Sequence, residues 1–351
     1  MQIFYDARQL DHRPTQFMVR GRIVDPFEVP ERSKRLAERL GEAGHVIAAP
    51  AIDDPVAGIT RVHPTHFVEF LKTAHAAFSA LDGAGPEVLP NVHPHVSGSA
   101  DGAERPPPRA TDIVGRAGWY LGDMACAIGP GTFAAACASA ASAIRAATTV
   151  VESGGTAMAL CRPPGHHAYR DRASGFCFFN NAAIAAEALR PRYPRIAILD
   201  FDTHHGDGTQ AIYFGDAATF VGSTHTDPTA YYPFYCGYAD ETGLGDGAGT
   251  NLNVPLAPGA DDAAFLGAND RILSAAADFA PDAIIISAGW DAHRDDPLSR
   301  LDVSSAAFAE LGLRYGALGL PTVIVQEGGY SLSAIEDVAP RFLAAFEEGR
   351  P

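Results

Sequence analysis

The sequence has no disulfide framework, no long apolar run and no basic cluster, and each absence excludes a class of protein. No run of about 18 apolar residues occurs, and the first residues lack a basic start before an apolar stretch. We therefore expect neither a membrane span nor a targeting segment. The cysteines are odd in number, and no two of them have the C-x-x-C spacing of a thiolate zinc site. They are Cys126, Cys137, Cys161, Cys177 and Cys236. Unpaired cysteines indicate a cytoplasmic protein.

Positive charge is also scarce. The chain has 26 Lys and Arg against 42 Asp and Glu, which gives a formal net charge of −16. Nucleic-acid binding needs clustered Lys and Arg, so we expect no nucleic-acid partner. An acidic surface attracts cationic ligands, although acidity also serves solubility alone. Apolar residues make up 47% of the 351 residues, which is enough for a sizeable core.

Short apolar runs that alternate with helical stretches predict an α/β protein. Strands are predicted at Thr156–Leu160, Ile196–Leu199, Thr219–Val221, Ala283–Ser287 and Thr322–Val325. Helices are predicted at Glu31–Leu40, Pro64–Leu81, Ala134–Val151, Asn181–Leu189, Ala263–Phe279 and Ala306–Leu318. This alternation is typical of a central, mainly parallel sheet flanked by helices, with the active site at the carboxyl ends of the strands.

The segment Asp82–Pro108 breaks this pattern, because it is rich in Pro, Gly, His and Ser and has little periodicity. A loop of this length inside a compact domain is usually functional or disordered. The elements that precede it are too few to close a core of their own. We therefore predict one domain over residues 1–351.

The strongest candidates for chemistry follow the second predicted strand. Asp200, Asp202 and His204 are spaced by two, so on an extended segment they point to one side. Carboxylate and imidazole together suit zinc or another first-row divalent metal. Asp291 follows another buried apolar run and is a candidate third ligand. Three protein ligands and an open position are the signature of a catalytic zinc site.

Two adjacent histidines, His166 and His167, follow the first predicted strand. The prolines and the glycine before them hold the backbone rigidly, so each imidazole has a fixed direction. Neighbouring histidines on an extended chain cannot both face one metal, but each can pair with its own carboxylate. Asp200 and Asp207 are the obvious partners. A His–Asp pair orients the imidazole and raises its basicity, as a general base requires.

The run Q-E-G-G-Y follows the last predicted strand and ends at Tyr330. Its two glycines allow an unusual turn that can present the tyrosine hydroxyl inward. Near a metal, that hydroxyl can hydrogen-bond the oxyanion of a tetrahedral intermediate. On its own the run is weak evidence for a catalytic tyrosine, because most tyrosines are packing residues.

Together these motifs resemble the histone deacetylase family, which has the arginase–deacetylase fold. The matching runs are R-P-P-G-H-H at 162–167, G-F-C-F-F-N-N at 175–181, D-F-D-T-H-H-G-D-G-T at 200–209, G-W-D-A-H-R-D-D-P-L at 289–298 and E-G-G-Y at 327–330. They occur in the family's order and span essentially the whole chain. The run D-P-F-E-V-P at 25–30 and a long insertion ending in P-R-A-T-D-I at 108–113 resemble the bacterial acetylpolyamine amidohydrolases in particular.

The resemblance implies two metal ions and a set of ligands for each. Zinc would be held by Asp202, His204 and Asp291. Potassium would be held by Asp200, Ser223 and Thr224, with the backbone of Asp202 and His204. The zinc ligands would also accept Fe²⁺ or Co²⁺, because oxygen and imidazole donors discriminate poorly among these ions.

The resemblance also implies roles for the catalytic residues. His167 would be the general base with Asp207 as its partner, and His166 with Asp200 would assist by charge or proton transfer. Tyr330 would stabilise the oxyanion. The residues expected to contact substrate are Phe176, Tyr232, Gly175 and Gly328.

In the bacterial relatives the insertion, here at about residues 82–112, helps to build a dimer that narrows the active-site entrance. The resemblance therefore implies a homodimer or a higher homo-oligomer. Those relatives place carboxylates near the rim of the tunnel, whereas this chain has Phe17 and Val114 at two such positions. Asp101 and Glu104 in the insertion are alternative sources of acidic side chains.

The resemblance implies a zinc-dependent deacetylase that hydrolyses linear amides, with acetylated polyamines or related small cationic acetylated amines as substrates. A deacylase of acyl-lysine or other small carboxamides uses the same site and stays open. A non-catalytic acyl-binding module and an arginase-like ureohydrolase are further alternatives. The presence of His167 and Tyr330 favours a deacetylase over both.

Overall fold

The computed structural model describes residues 1–94 and 105–351, and a single large sheet organises them. In chain order the strands are β1 (Gln2–Phe4), β2 (Phe17–Val19), β3 (Arg22–Val24), β4 (Val46–Ala48), β5 (Thr156–Ala159), β6 (Ile196–Asp200), β7 (Thr219–Thr226), β8 (Asn251–Leu256), β9 (Ala283–Ala288) and β10 (Thr322–Gln326). Strands β2 and β3 form a separate antiparallel hairpin. The other strands form one sheet in the order β4-β1-β5-β10-β9-β6-β7-β8.

Every neighbouring pair of strands in this sheet is parallel. The helices that connect and cover them are α1 (Glu31–Glu42), α2 (Val56–Ile59), α3 (Thr65–Ser79), α4 (Ile113–Tyr120), α5 (Thr132–Ser153), α6 (Asn181–Leu189), α7 (Asp207–Tyr213), α8 (Asp262–Phe279), α9 (Ser305–Gly316) and α10 (Leu332–Gly349). The predicted α/β class and the parallel central sheet are confirmed.

The strands are apolar throughout because helices cover both faces of the sheet. Ile285 of β9 packs in the cluster formed with helices α3 to α6. Its neighbours Ile284 and Ile286 point to the opposite face and pack with helices α1, α8, α9 and α10. Alternate residues of a strand point to opposite faces, so a two-sided core needs an unbroken apolar run.

Some elements were not predicted from the sequence. Strand β8 was not predicted because Asn251 and Asn253 interrupt its apolar pattern, and both side chains are buried. Strand β7 continues past its predicted end through Ser223 and Thr224, which are also buried. The two asparagines of β8 have a hydrogen-bond partner in the interior, because both donate to Gln210 Oε1, Asn251 at 3.0 Å and Asn253 at 2.8 Å.

Helix α5 is the one helix among residues 1–94 and 105–351 whose length and composition would suffice to cross a membrane. In this fold, 61% of the most apolar 18-residue stretch of α5 is buried inside the protein. Its alanines pack in the core cluster that covers one face of the sheet. The apolar character of α5 therefore has an explanation in the fold itself.

The described ends of the insertion are attached to the body of the domain. Val88 pairs with Ile128 in an antiparallel bridge, and the Glu87 carboxylate accepts from the backbone N–H of Thr15 at 2.9 Å. At the other end, Arg105 makes an ion pair with Asp171 at 2.9 Å. Residues 95–104, which include the predicted rim acids Asp101 and Glu104, lie outside the described residues.

A buried charge cluster ties the N-terminal segment to the loops that follow the central strands. Glu28 is fully buried, and its carboxylate lies 2.9 Å from Arg32 and 2.8 Å from Arg162. Arg32 donates to the carbonyl oxygens of Glu327 and Gly329, so it holds the loop after β10. Burial raises the pKa of the Glu28 carboxyl, but the two guanidinium charges outweigh it and lower that pKa.

Replacing Glu28 by Ala should destabilise the fold strongly. The change leaves two buried guanidinium groups without their counter-charge, and breaking a buried ion pair in this way costs about 3–5 kcal/mol. Urea unfolding measures the loss. The control is Glu42→Ala, which removes the carboxylate of an exposed pair with Arg39 and should cost less than about 1 kcal/mol. Equal losses of unfolding free energy in the two variants would show that the buried cluster contributes no more to stability than the exposed pair.

Candidate active site

The four polar clusters singled out in the sequence lie at one edge of the sheet. They follow β5, β6, β9 and β10, and these four strands are neighbours in the order β5-β10-β9-β6. Because the strands are parallel, their carboxyl ends meet at the same edge. The topology therefore brings together side chains that are more than 100 residues apart in the chain.

Asp202, His204 and Asp291 form a buried group at this edge. Their potential ligand atoms all lie within 4.8 Å of one another. His204 Nδ1 is 3.1 Å from Asp202 Oδ1 and 3.2 Å from Asp291 Oδ2. Backbone N–H groups hold the carboxylates in place, since Thr203 donates to Asp291 and Gly328 donates to Asp202, each at 2.9 Å.

The electrostatics of this group favour a bound cation. Burial and the neighbouring Asp202 charge raise the pKa of Asp291 to about 7. Burial disfavours the charged form of His204, but its hydrogen bonds to the two aspartates raise its pKa to about 9. Two carboxylates in a dry site thus need a positive charge between them. One imidazole and two carboxylates are donors that Zn²⁺, Fe²⁺ and Co²⁺ accept, so the residues fit a divalent metal.

Tyr231 supports His204 from the other side and was not singled out in the sequence. Its hydroxyl is 2.8 Å from His204 Nε2 and donates to the Leu298 carbonyl oxygen. Its ring stacks on the imidazole with centroids 4.9 Å apart. Because the hydroxyl proton is used on Leu298, the oxygen accepts the Nε2 proton, and Nδ1 is left to face the two carboxylates. The only signal for this residue in the sequence is the pair of adjacent tyrosines at 231 and 232.

Both histidines of the R-P-P-G-H-H run lie against the carboxylates expected from the sequence. His166 Nδ1 is 2.9 Å from Asp200 Oδ2, and His167 Nδ1 is 2.6 Å from Asp207 Oδ1. Tyr169, which sequence reasoning missed, donates to the other Asp207 oxygen at 2.9 Å. It fixes the orientation of the carboxylate that orients His167.

The two imidazoles differ in charge although they are adjacent. Burial lowers the pKa of His167, and the positive charge on His166 lowers it further. Burial also acts on His166, but Asp202 and Asp200 outweigh it and raise its pKa well above the ordinary value. Environments that push two pKa values apart separate a base from an acid. The pKa directions therefore make His167 the candidate base of the pair and His166 the candidate acid.

Glu327 fixes the loop that presents the histidines and was also missed as a functional candidate. Its carboxylate accepts from the backbone N–H groups of Gly165 at 2.6 Å and His166 at 3.1 Å. The residue is fully buried at the end of β10. Since β10 lies beside β5, this contact joins the loops that follow two neighbouring strands.

Tyr330 follows a glycine whose backbone conformation other residues rarely adopt. Gly329 has φ +117°, and the carboxylate of Asp296 accepts from the N–H groups of Tyr330 at 2.6 Å and Ser331 at 2.9 Å. The Arg32 guanidinium lies 4.6 Å from the centre of the tyrosine ring. These contacts fix both the backbone and the ring of Tyr330 beside the cavity.

A cavity of about 200 Å³ leads to the buried group. His167, His204 and Tyr330 lie on its wall, together with Phe17, Gly175, Phe176, Tyr231, Tyr232, Leu298 and Arg300. Gly175 has φ +53°, and a Cβ atom there would meet His167 Cδ2 at 2.3 Å. The glycine is needed because the backbone passes so close to the imidazole.

Two other expected substrate contacts have different surroundings. The Tyr232 hydroxyl donates to Asp123 at 2.8 Å, so this side chain is attached to a carboxylate outside the cavity wall. Gly328 lies against the Asp202–His204–Asp291 group, where its N–H donates to Asp202. Phe17 lines the cavity, whereas Val114 is a half-buried residue of α4.

The residues expected at a potassium site are also neighbours. Asp200 of β6 pairs in register with Ser223 of β7, and both are buried. The next residue, Thr224, has a buried hydroxyl oxygen with no hydrogen-bond partner in the described part of the chain. A buried hydroxyl oxygen without a hydrogen-bond partner keeps its lone pairs available for a cation.

Comparison with known proteins gives a consistent result over the whole chain. A model of the histone deacetylase domain matches residues 26–346. The chain is 42% identical over 347 residues to the acetylpolyamine amidohydrolase of Burkholderia pseudomallei, covering 99% of this chain and 98% of that protein. It is 38% identical over 336 residues to the acetylpolyamine amidohydrolase of Mycoplana ramosa, covering 95% of each.

Solved structures show the same similarity. The crystal structure of the acetylpolyamine aminohydrolase from Burkholderia pseudomallei matches with a TM-score of 0.93 and 41% identity, covering 100% of both chains. The HD domain of HDA15 matches with a TM-score of 0.79 and 27% identity, covering 100% of this chain and 90% of that one. These matches confirm the arginase–deacetylase fold.

Replacing Gly328 by Ala should weaken divalent metal binding by about 10- to 100-fold, the usual effect of disturbing the groups that orient metal ligands. A Cβ atom at this position would meet Asp291 Oδ2 at 2.3 Å and Asp202 Oδ2 at 2.5 Å, so both carboxylates must move. Titration of the metal-stripped protein with Co²⁺, followed by visible absorption, measures the affinity.

The control for this variant is Gly267→Ala on helix α8, where an added Cβ atom meets nothing within 4 Å. It should bind Co²⁺ as the wild type does. An unchanged affinity in Gly328→Ala, with the fold intact by circular dichroism, would contradict the assignment of the metal group.

Proposed function

Because the chain belongs to the histone deacetylase family, we propose that it is a zinc-dependent amidohydrolase that removes the acetyl group from acetylated polyamines and related acetylated amines. Its full-length relatives are named acetylpolyamine amidohydrolases, and hydrolysis of a linear amide is the activity that they share. The observation that carries the proposal is the buried Asp202–His204–Asp291 group at the cavity, with His167 and Tyr330 on the cavity wall.

Zinc, when bound to this group, polarises the amide carbonyl and the attacking water. Asp202 and Asp291 supply carboxylate oxygens, and His204 supplies Nδ1. Tyr231 holds the imidazole in the tautomer that exposes Nδ1. The same donors accept Fe²⁺ or Co²⁺, so zinc rests on the family and the donor set together.

His167 acts as the general base that takes the proton of the attacking water. Burial keeps its imidazole neutral, and Asp207 orients it and stabilises the positive charge that it gains. Asp202 and Asp200 raise the pKa of His166, so this imidazole is the candidate to stabilise negative charge or to give a proton to the leaving amine.

The Tyr330 hydroxyl donates a hydrogen bond to the oxyanion of the tetrahedral intermediate. Its backbone is fixed by Asp296, and its ring is fixed by Arg32. A donor that is already in place where negative charge develops needs no rearrangement during the reaction. Phe176, Gly175 and Tyr232 form part of the wall that receives the chain of the substrate.

A deacylase of acyl-lysine or another small carboxamide is the second candidate. It is favoured by the cavity wall, which contains Phe17 and no carboxylate among the described residues. A non-catalytic acyl-binding module and an arginase-like ureohydrolase are not supported, because the relatives are amidohydrolases along their full lengths.

We also propose potassium at Asp200, Ser223 and Thr224, with backbone oxygens of Asp202 and His204. The unpartnered Thr224 hydroxyl and the register of Asp200 with Ser223 support this site. A single catalytic domain, a homodimer or higher homo-oligomer built with the insertion, and a cytoplasmic location stay predictions.

Replacing Tyr330 by Phe should lower kcat by about 10²- to 10³-fold and leave KM nearly unchanged, because its hydrogen bond forms only in the transition state.

Replacing His167 by Ala should lower kcat by about 10²- to 10⁴-fold. Hydrolysis of N-acetylputrescine by the zinc-loaded protein measures both. The control is Tyr235→Phe, since Tyr235 is 91% exposed. Wild-type turnover in His167→Ala would refute the mechanism, and wild-type kcat in Tyr330→Phe would refute the oxyanion role.

Replacing Tyr231 by Phe should weaken zinc binding by about 10-fold, because His204 loses the acceptor that fixes its tautomer. Competition with a chromophoric chelator measures the zinc affinity without reference to activity. The ring stacking on His204 is retained in this variant, so the result reports the hydroxyl alone. An unchanged zinc affinity would show that the hydroxyl does not support the ligand.

A further inference from the structure

One side of the cavity wall is formed by a loop that is open to solvent on its outer surface. The loop follows β7 and carries the adjacent Tyr231 and Tyr232, which both line the cavity. The surrounding residues Ala230, Phe234 and Tyr235 are exposed. The position of this part of the wall therefore depends strongly on the contacts of the two tyrosines.

The two tyrosine hydroxyls attach the loop to two different parts of the domain. The Tyr231 hydroxyl donates to the carbonyl oxygen of Leu298, in the loop after β9. The Tyr232 hydroxyl donates at 2.8 Å to the carboxylate of Asp123, which lies between α4 and α5. Burial and the nearby Asp123 charge raise the pKa of Tyr232 well above its ordinary value, so the hydroxyl keeps the proton that it donates.

Asp123 accepts from several groups of the wall at once. The oxygen that binds Tyr232 also accepts from the Ser174 hydroxyl at 3.0 Å and from the Gly175 N–H at 2.9 Å. The Ser174 and Tyr232 hydroxyl oxygens are themselves 2.8 Å apart. The other carboxylate oxygen accepts from the Ala125 N–H at 2.9 Å, which fixes the carboxylate itself. Asp123 therefore joins the loop of Tyr232 to the wall at Gly175.

The segments that carry these partners are fixed to each other by their backbones. The Gly122 N–H donates to the Ala173 carbonyl oxygen at 2.7 Å, and the Ala173 N–H donates to the Tyr120 carbonyl oxygen at 2.8 Å. The chain that leads into Asp123 thus runs beside the chain that leads into Ser174. A hydroxyl bound to both residues is held in a fixed position relative to the wall.

The ring of Tyr232 lies where a substrate must pass His167. The ring and the imidazole are nearly perpendicular, at 84°, and their centroids are 4.9 Å apart. A Cβ atom at Gly175 would meet the Tyr232 hydroxyl oxygen at 2.9 Å, so the tyrosine also lies close against the neighbouring backbone. Phe176 and Tyr330 are further rings of the same cavity. The width of the cavity beside His167 therefore depends on where the Tyr232 ring is held.

We propose that Asp123 is a positioning residue that acts through Tyr232 to set the width of the cavity. The enzyme then selects acetamides whose carbon beside the amide nitrogen is unbranched. Acetylated polyamines have a methylene group at that place, so they fit, whereas a methyl branch there makes the chain wider next to His167. The inference rests on the proposed amidohydrolase function and adds a determinant of its specificity.

The test compares two acetylated diamines that differ by a single methyl group. N-acetylputrescine has a methylene group beside the amide nitrogen. N-(5-aminopentan-2-yl)acetamide has the same spacing between its nitrogens and a methyl branch at that carbon, and its two enantiomers are measured separately. We measure kcat/KM for these compounds with the zinc-loaded wild type, Tyr232→Phe, Asp123→Ala and Asp123→Asn.

The wild type should prefer the unbranched compound by about 10-fold or more, the discrimination that one extra carbon gives in a close-fitting site. Tyr232→Phe and Asp123→Ala should each reduce this preference by about 5-fold, which corresponds to one hydrogen bond of ordinary strength. Asp123→Asn keeps an acceptor oxygen for Tyr232 and should retain most of the preference. A merely structural role of Asp123 would lower kcat/KM for both compounds and leave their ratio unchanged.

A double variant shows whether Asp123 acts through Tyr232. Asp123→Ala combined with Tyr232→Phe should give the same ratio as Asp123→Ala alone, because both changes break one contact. Circular dichroism checks the fold, and Tyr232→Phe, which removes a single oxygen, decides the case if Asp123→Ala does not fold.

Tyr235→Phe is the matched control, since it removes a hydroxyl of the same loop from a ring that is 91% exposed and does not line the cavity. It should keep the wild-type ratio. An unchanged ratio in Tyr232→Phe would overturn the proposal. So would additive changes in the double variant, or a wild type that does not discriminate between the two compounds.

A failure of the proposed function would look different, because the zinc-loaded wild type would then hydrolyse neither compound. In that case, calorimetric binding of the two compounds decides the role of the Asp123–Tyr232 contact by itself. A preference for N-acetylputrescine that is smaller in Tyr232→Phe than in the wild type and Tyr235→Phe supports it. The same preference in all three proteins overturns it.

Discussion

The burial of several carboxylates at one edge of the sheet is the constraint on which the rest of the site depends. Removing a carboxylate from water costs several kcal/mol unless hydrogen bonds and opposite charges compensate it. Here the compensation comes largely from backbone N–H groups of the loops that follow neighbouring strands. The acceptors are Asp200, Asp202, Asp291 and Glu327, and the donors are Asp202, His204, Gly328, Thr203, Gly165 and His166. Each carboxylate therefore also fixes the backbone of a loop, because it accepts hydrogen bonds from that loop.

Compensation by the protein alone is incomplete, so the Asp202–His204–Asp291 group fits a divalent metal. Asp291 keeps a pKa of about 7 despite its hydrogen bonds, because burial and the nearby Asp202 charge both raise it. Glycines make this proximity possible. A Cβ atom at Gly289 would meet Asp202 Oδ2 at 2.0 Å, and the backbone of Gly328 approaches both carboxylates. The glycines of the G-W-D and E-G-G-Y runs are therefore conditions for the metal site, although their letters suggest only turns.

The sequence predicted what depends on short runs of the chain, and missed what depends on contacts across it. Polar residues at the ends of apolar strands located the site, since parallel strands bring those ends together. The ion pairs of Glu28 with Arg32 and Arg162 join distant segments and leave no local pattern. Tyr231 is similar, because a tyrosine in a loop is normally a packing residue. Strand β8 was missed since its buried face is polar.

The net charge of −16 by itself says little about the substrate. The overall field attracts cations to the protein, but at physiological salt it decays over about 8 Å, so exposed charges act mainly on their neighbours. Inside the tunnel, solvent screening is weaker and the nearest group dominates. On the described part of the cavity wall the fixed charge is Arg300, which is exposed to solvent, and Asp123 already accepts from its own donors. The overall acidity of the protein therefore does not decide how a substrate lies in the cavity, and the groups that line the cavity do.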